Sequence, residues 1–129
     1  MNNLVYKSVY TAEVLFKIAK KGDLVMNEVE LNPETTECYI ESIMEEVPQQ
    51  RIYGKISIET EIKLILLKDY PVLETVFAFI GNEITFKGFY LADLSEEEQR
   101  IFLETEFEVI SVNPGFKQNE LVAMIKKTI

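Results

Sequence analysis

The sequence predicts an α+β fold in which about six strands form a strongly curved mixed sheet, or pseudo-barrel, and three helices pack against it. Two observations carry this prediction. Apolar and polar residues alternate over residues 4–19 and 52–67, as they do in half-buried strands. Elsewhere, helix-start signals stand before apolar stripes of helical spacing. Because the 129 residues contain no repeat and no long linker, residues 1–129 are expected to form a single domain.

The predicted curvature follows from the second alternating run. As one extended strand, residues 52–67 would reach roughly 50 Å, whereas a domain of this size is only about 36 Å across. The strand is therefore expected to bend or coil, with Gly54 as the natural place, and a coiled strand curls a sheet toward a barrel. Its apolar parity consists of Ile52, Ile56, Ile58, Ile62, Leu64 and Leu66.

The N-terminal part of the chain is open to two interpretations. Alternation over residues 4–19, followed by a turn and a second apolar run over 24–31, predicts a β-hairpin. The alternative is a helix over 11–21 that is capped by Thr11 and stopped by Gly22. We favour the hairpin because the alternation begins well before the capping residue.

The rest of the chain supplies helix and strand signals in turn. Asn32 and Pro33 open a helix that Pro48 ends, and Ser95 begins a capping box before a short helix that runs to about Glu104. Between them, residues 73–80 are apolar on nearly both faces and predict a central strand, which a two-residue turn at Gly81 and Asn82 joins to a returning strand over 83–92. A last strand over 107–112, a turn over 113–115 and a terminal helix from about Asn119 complete the prediction.

The composition excludes most catalytic chemistry. The chain has no histidine, so the commonest general base and the commonest metal ligand are missing. The single cysteine, Cys38, excludes an internal disulfide and is expected to be buried. Phosphate-binding glycine motifs are absent, and same-side carboxylate pairs such as Glu106 and Glu108 read as solvated strand positions. We expect a non-enzymatic protein with no cofactor and no metal.

The charge and the hydropathy pattern bear on location and partners. The net charge is −9, which on average repels nucleic acid and anionic lipid. The N-terminus lacks the order of a signal peptide, and no apolar run approaches the roughly 20 residues that span a bilayer. The sequence therefore predicts a cytoplasmic protein without a membrane partner.

A small set of cationic and aromatic residues forms a candidate RNA contact. Tyr53 falls on the polar parity of the long run between Arg51 and Lys55, and an aromatic ring flanked by cations on a sheet can stack and neutralise single-stranded RNA. A second cationic group, Lys17, Lys20 and Lys21, is a candidate extension of this contact.

The chain resembles the PrgU-like family of small proteins from enterococcal and other Gram-positive plasmids. The resemblance covers most of the chain and rests on its length, its element order and the successive segments KISIETEIKLILL, FIGNEITF and LSEEEQRIFLE. It implies a PUA-like pseudo-barrel and an RNA-binding negative regulator of pheromone-induced conjugation and surface-adhesin genes. The resemblance carries over no specific binding residue.

A second hypothesis uses the acidic residues. Glu37, Glu41 and Glu45 line the polar side of the predicted helix that follows Pro33, and an acidic surface attracts a basic protein and speeds its encounter. The chain would then be an antagonist of a basic partner. Homodimerisation through a sheet edge is a further possibility that the sequence raises.

Overall fold

The computed structural model describes residues 5–57 and 62–112, and these residues form one mixed sheet with helices packed on it. The fold is α+β. The elements in chain order are β1 (Val5–Thr11), α1 (Ala12–Lys20), β2 (Leu24–Val25), α2 (Pro33–Met44), β3 (Ile52–Ser57), β4 (Lys63–Leu66), α3 (Pro71–Ile80), a short 3-10 helix (Leu91–Asp93), α4 (Glu96–Leu103) and β5 (Glu106–Val112).

The sheet is open and not closed into a barrel. Its strand order is β1-β5-β3-β4-β2, with β1 and β2 at the two edges of the described sheet. The β1–β5 and β3–β4 pairs are antiparallel, and the β3–β5 and β2–β4 pairs are parallel. The described residues thus contain five strands and four α-helices, where the sequence predicted six strands and three helices.

The long alternating run folds back on itself, and the prediction of one coiled strand was wrong. Its described parts are β3 and β4, which pair antiparallel with Gly54 opposite Leu66 and Ile56 opposite Leu64. Even-numbered residues of β3 therefore pair with even-numbered residues of β4. As a result, the apolar residues of both strands lie on the same face of the sheet. The alternation alone could not distinguish a hairpin from a single strand, because this register preserves it. Residues 58–61 lie outside the described part.

The segment after β1 is a helix, so the hairpin prediction for residues 4–31 was wrong and its alternative was right. The Thr11 hydroxyl caps α1 by accepting a hydrogen bond from Val14 N at 3.2 Å. Ala12 and Leu15 are fully buried at helical spacing. Gly22 follows the helix with a φ of +83°, which glycine adopts without steric cost. Of the predicted returning strand, only Leu24 and Val25 are extended and paired.

The predicted central strand over 73–80 is α3, a buried helix. Pro71 occupies its first turn, and Val72, Leu73, Val76 and Phe79 are buried. A short run that is apolar at most positions does not show whether its period is that of a strand or that of a helix. In the structure this run is a helix. Gly81 consequently ends a helix, and the predicted strand over 83–92 contains only an isolated bridge between Phe86 and Phe89 and the 3-10 helix.

Three predicted elements are confirmed. The Asn32 side chain caps α2, the Ser95–Glu98 capping box opens α4, and β5 covers the predicted last strand. Cys38 is exposed on α2 and not buried as predicted. The predicted turn and terminal helix after Val112 lie outside the described residues. Within the described residues, no helix is long and apolar enough to cross a membrane.

The helices share one core with one face of the sheet, which we call the inner face. Leu15 of α1, Ile43 of α2, Leu73 of α3 and Phe102 of α4 are all completely buried in this core. Phe79 and Phe102 meet edge to face with ring centroids 5.0 Å apart, a favoured aromatic geometry. The inner-face residues of the core are Leu24, Ile52, Leu66, Phe107 and Val109.

A buried hydrogen bond ties the start of α3 to β3. The hydroxyl of Tyr70, which is buried, accepts from Tyr53 N at 2.7 Å. Burial raises the pKa of Tyr70 to about 12, against the lowering effect of the bond from Tyr53. The folded protein therefore favours the protonated phenol.

Replacing Tyr70 by phenylalanine should destabilise the protein by about 1–3 kcal/mol, because Tyr53 N loses its buried acceptor. Since the folded pKa is raised, the stabilisation is complete below the unfolded pKa near 10 and is lost as pH rises toward 12. Urea unfolding from pH 8 to 11 measures both effects. If the free energy of unfolding fell equally with rising pH in wild type and in Tyr70→Phe, the result would contradict the assignment.

Gly54 is required by close packing between β3 and β4. A Cβ at this position would lie 2.6 Å from Leu64 Cδ1 and 3.1 Å from the Ile65 carbonyl oxygen. We expect Gly54→Ala to cost about 1–3 kcal/mol through overpacking, and Leu64→Ala to relieve part of that cost in the double variant. A double-mutant cycle by urea unfolding measures the coupling between the two positions, and Ser57→Ala on the same strand is the control. If the two changes in the free energy of unfolding simply added, the result would argue against the clash.

Candidate functional site

The face of the sheet opposite the helices carries most of the candidate residues, and we call it the outer face. The strand registers assign its residues, because every second position points away from the core. Its charged residues are Lys7 on β1, Glu106 and Glu108 on β5, Lys55 on β3 and Lys63 on β4, with Arg51 directly before β3.

The three residues of the predicted RNA contact are neighbours, but they do not form a stacking platform. Tyr53 is only 3% exposed, so its ring has no free face for a base. Arg51 lies with its Nε 2.5 Å from Glu108 Oε1. Its pKa is raised by a hydrogen bond to Tyr53 and then by Glu108. Lys55 is exposed.

The three predicted lysines lie at the C-terminal end of α1. Lys17 and Lys20 belong to the last turn of α1, and Lys21 caps its C-terminus. The Lys20 ammonium lies 5.8 Å from the ring centroid of Phe16 on the same helix. These lysines belong to the helical layer, whereas Lys55 lies on the outer face of the sheet.

Glu108 connects β1 to the segment before β3. Its Oε2 lies 3.3 Å from Lys7 Nζ, and its enclosed Oε1 is the atom in contact with Arg51. Burial alone would raise the pKa of Glu108, but Lys7 and Arg51 together hold it below the ordinary value. Glu108 is therefore ionised at neutral pH. Sequence analysis placed Glu106 and Glu108 on one side of a strand, but these pairings depend on strand neighbours that are distant in sequence.

An acidic cleft of about 490 Å³ opens beside Glu108. Its walls come from the start of β5, the end of α4 and the segment after α2. Val9 and Val47, 54% and 45% exposed, supply apolar surface within it. Its lining residues are Val9, Glu46, Val47, Pro48, Gln49, Arg100, Ile101, Glu104, Thr105, Glu106 and Glu108.

The cleft is negatively charged because glutamates line it and its one arginine, Arg100, is already paired with two glutamates. Arg100 Nη1 lies 3.3 Å from Glu104 Oε1, and Nη2 contacts Glu97. These carboxylates raise the pKa of Arg100, and the hydrogen bond from Arg100 lowers the pKa of Glu97. Glu46 and Glu106 form no ion pair with any residue in the described ranges, so their charges face solvent.

Glu46 has an unusual backbone conformation at the end of α2. Its φ is +60°, its N–H donates to the Ile43 carbonyl, and the next N–H, of Val47, donates to the Ser42 carbonyl. This is the helix-ending arrangement in which glycine normally occupies the left-handed position. A glutamate there costs about 1–2 kcal/mol, and such strained positions concentrate at functional sites. Glu46 is not among the residues predicted from the sequence, because no local signal distinguishes it from Glu45.

The predicted acidic side of α2 is partly engaged within the chain. Lys87 N donates to Glu37 Oε2 at 3.0 Å, and Lys87 Nζ lies 4.0 Å from Glu41 Oε2. The segment after α3 therefore lies against these two carboxylates. Glu45, the third predicted residue, is exposed and directly precedes the cleft residue Glu46.

The described residues offer no arrangement for a metal. Within residues 5–57 and 62–112, no group of three or more histidine, cysteine, aspartate or glutamate side chains could hold an ion. Glu74 on α3 has its pKa raised by burial and then by the charges of Glu28 and Glu83, but these carboxylates do not converge on a coordination site.

Comparison of this chain with models of protein families, with curated proteins and with solved structures found no match. Resemblance to a known protein therefore contributes nothing to the assignment of the cleft or of the outer face.

Proposed function

We propose that this chain is a non-enzymatic binding module that holds a basic segment of a protein partner in the acidic cleft. The observation that carries the proposal is the conformation of Glu46. A glutamate occupies the backbone position that glycine would fill most favourably, and this residue lines the cleft. The proposal keeps the sequence-based hypothesis of a basic partner and moves its site from the side of α2 to the cleft.

The chemistry of the cleft suits lysine and arginine side chains. Glu46 and Glu106 provide unpaired carboxylates for the cationic head group, and Val9 and Val47 provide apolar surface for the methylene stem. Long cationic side chains bury their stems in this way and keep the charge near water. Catalysis would need a proton-transfer group with a suitable pKa, whereas Lys7 and Arg51 hold the pKa of the lining residue Glu108 below its ordinary value.

The electrostatics also favour fast but weak association. The net charge of −9 draws cations toward the protein over roughly a Debye length, about 8 Å at physiological ionic strength. Each solvent-exposed ion pair contributes about 0.2–1 kcal/mol. Binding should therefore be moderate, and it should weaken as salt increases.

Titration with a labelled peptide of alternating lysine and alanine tests the proposal. We expect saturable binding that falls with added salt, and no binding of the matched peptide with glutamate in place of lysine. Glu46→Gly should increase the free energy of unfolding by about 1 kcal/mol, because glycine relieves the left-handed strain. The same variant should weaken peptide binding by up to about fivefold, the value of one exposed ion pair.

A double variant and a charge-matched control decide whether the cleft is the site. Glu46→Gly with Glu106→Gln should weaken binding more than Glu46→Gly alone. Glu13→Gln with Glu30→Gln, on α1 and on the segment before α2, changes the net charge equally and should leave most of the affinity intact. Equal losses in the two double variants would reduce the effect to overall charge and refute the cleft.

RNA binding is the second candidate, and one observation favours it. Lys55 and Lys63 both lie on the outer face, on the paired strands β3 and β4, and Arg51 directly precedes β3. The contact would rest on phosphate neutralisation and not on stacking, because Tyr53 is buried. Under this candidate the chain would be the RNA-binding negative regulator of plasmid conjugation that the PrgU-like resemblance implies.

Filter binding of single-stranded RNA at several salt concentrations tests this candidate. Arg51→Glu with Lys55→Glu should abolish retention at moderate salt, and Lys55→Glu alone, which leaves Glu108 paired, should weaken it. Lys20→Glu with Lys21→Glu, at the end of α1, makes the same change in net charge and serves as the control. RNA retained by the first variant, or lost equally by the control, would remove RNA from consideration.

A further inference from the structure

Within the described residues, Lys7 and Val9 of the edge strand β1 have backbone groups that point away from β5 in a defined pattern. Ala12 N donates to the Thr105 carbonyl at 2.8 Å, which extends the β1–β5 register by one residue beyond Thr11 and Glu106. In an antiparallel ladder the residues that exchange hydrogen bonds alternate. Even-numbered residues of β1 therefore bond to β5, and the N–H and C=O groups of Lys7 and Val9 point outward along the edge.

This edge lacks most of the features that keep sheet edges apart. Its seven register pairs with β5 run without a bulge, and β1 contains no proline. Tyr6 and Val9 are 49% and 54% exposed. Such a regular, partly apolar edge strand is a template for another strand.

We propose that β1 pairs with β1 of a second copy of this chain, antiparallel and centred on Ser8. This register places Lys7 opposite Val9 of the second copy, and Val9 opposite its Lys7. Both residues expose their backbone groups on the edge, so each of the two pairs exchanges both of its hydrogen bonds. Two five-stranded sheets then become one continuous sheet across a two-fold axis.

Charge selects this register over its neighbours. A register centred on Lys7 would set the two lysines directly opposite each other, which is unfavourable. A register centred on Val9 would pair Lys7 with Thr11, the residue that already caps α1. Centred on Ser8, each Lys7 stands opposite Val9 of the second copy, so no two like charges face each other.

The inner-face side of the edge is compatible with this pairing. Tyr6 of one copy stands opposite Tyr10 of the other, an aromatic cross-strand pair. The helix α1 leaves β1 at Ala12 and leads to β2 at the far edge of the sheet, so the helical layer runs away from the proposed two-fold axis.

Sedimentation velocity over a concentration series tests the proposal. Wild type should approach twice the chain mass of 14.9 kDa as concentration rises. Val9→Pro removes one outward N–H at a position where edge strands tolerate proline, and it should be a monomer with an unchanged circular dichroism spectrum. A monomeric wild type, or a folded Val9→Pro that still dimerises, would overturn the proposal.

Two further variants decide the question even where Val9→Pro fails to fold. Val9→Glu should give a monomer, because it places a carboxylate beside Glu106 and Glu108, whereas Val14→Glu, on the exposed side of α1, should remain a dimer. Equal masses for these two variants would count against the β1 edge. No ligand is present in the sedimentation measurement, so it tests the dimer independently of the proposed function. If the chain forms a dimer but binds no basic peptide, only the proposed function is refuted. If it binds the peptide but remains a monomer, only the dimer is refuted.

Discussion

The strand β5 is the constraint on which the rest of the structure depends. It pairs antiparallel with β1 on one side and parallel with β3 on the other, and so it fixes which residues of three strands face the helices. Phe107 and Val109 point into the core, while Glu106 and Glu108 point to the outer face. A one-residue slip would exchange these sets and bury two carboxylates, which makes the register strongly determined.

The same register explains the candidate surfaces. Glu108 reaches Lys7 on β1 and Arg51 before β3 because β5 stands between those strands. The acidic cleft begins on this side, where α4 leads into β5 and α2 leads toward β3. The exposed lysine of β3 lies further along the outer face, past Gly54. Lys55 therefore lies toward one end of these strands, whereas Glu108 and its partners Lys7 and Arg51 lie toward the other.

The parts of the fold that were predictable are those with local causes. Asn32 and Ser95 cap helices through side-chain hydrogen bonds within a few residues, and the sequence contains both partners of each bond. The errors arose where two structures satisfy one pattern. Apolar residues occupy most positions of 71–80 because α3 is largely buried, so no period is visible. Thr11 separates a strand from a helix without breaking the parity of apolar residues.

The candidate site was less accessible from the sequence than the fold. Arg51 and Tyr53 were recognised as neighbours, but their environment is set by Glu108 and Tyr70, which the sequence does not place beside them. Glu46 is distinguished by its positive backbone angle φ, and its residue type does not indicate that conformation. Glu104 and Val9 join the cleft only through tertiary contacts, and no spacing rule connects them.

The pairing of β1 with β5 also has a consequence for biosynthesis. Val5 is matched with Val112 and Thr11 with Glu106, so the first described strand lacks this neighbour until the last described strand has been made. At about 5–20 residues per second, β1 waits roughly 5–20 s, while local helices form within microseconds. During this interval β1 is exposed to other chains, and the described sheet is completed only once β5 has been synthesised.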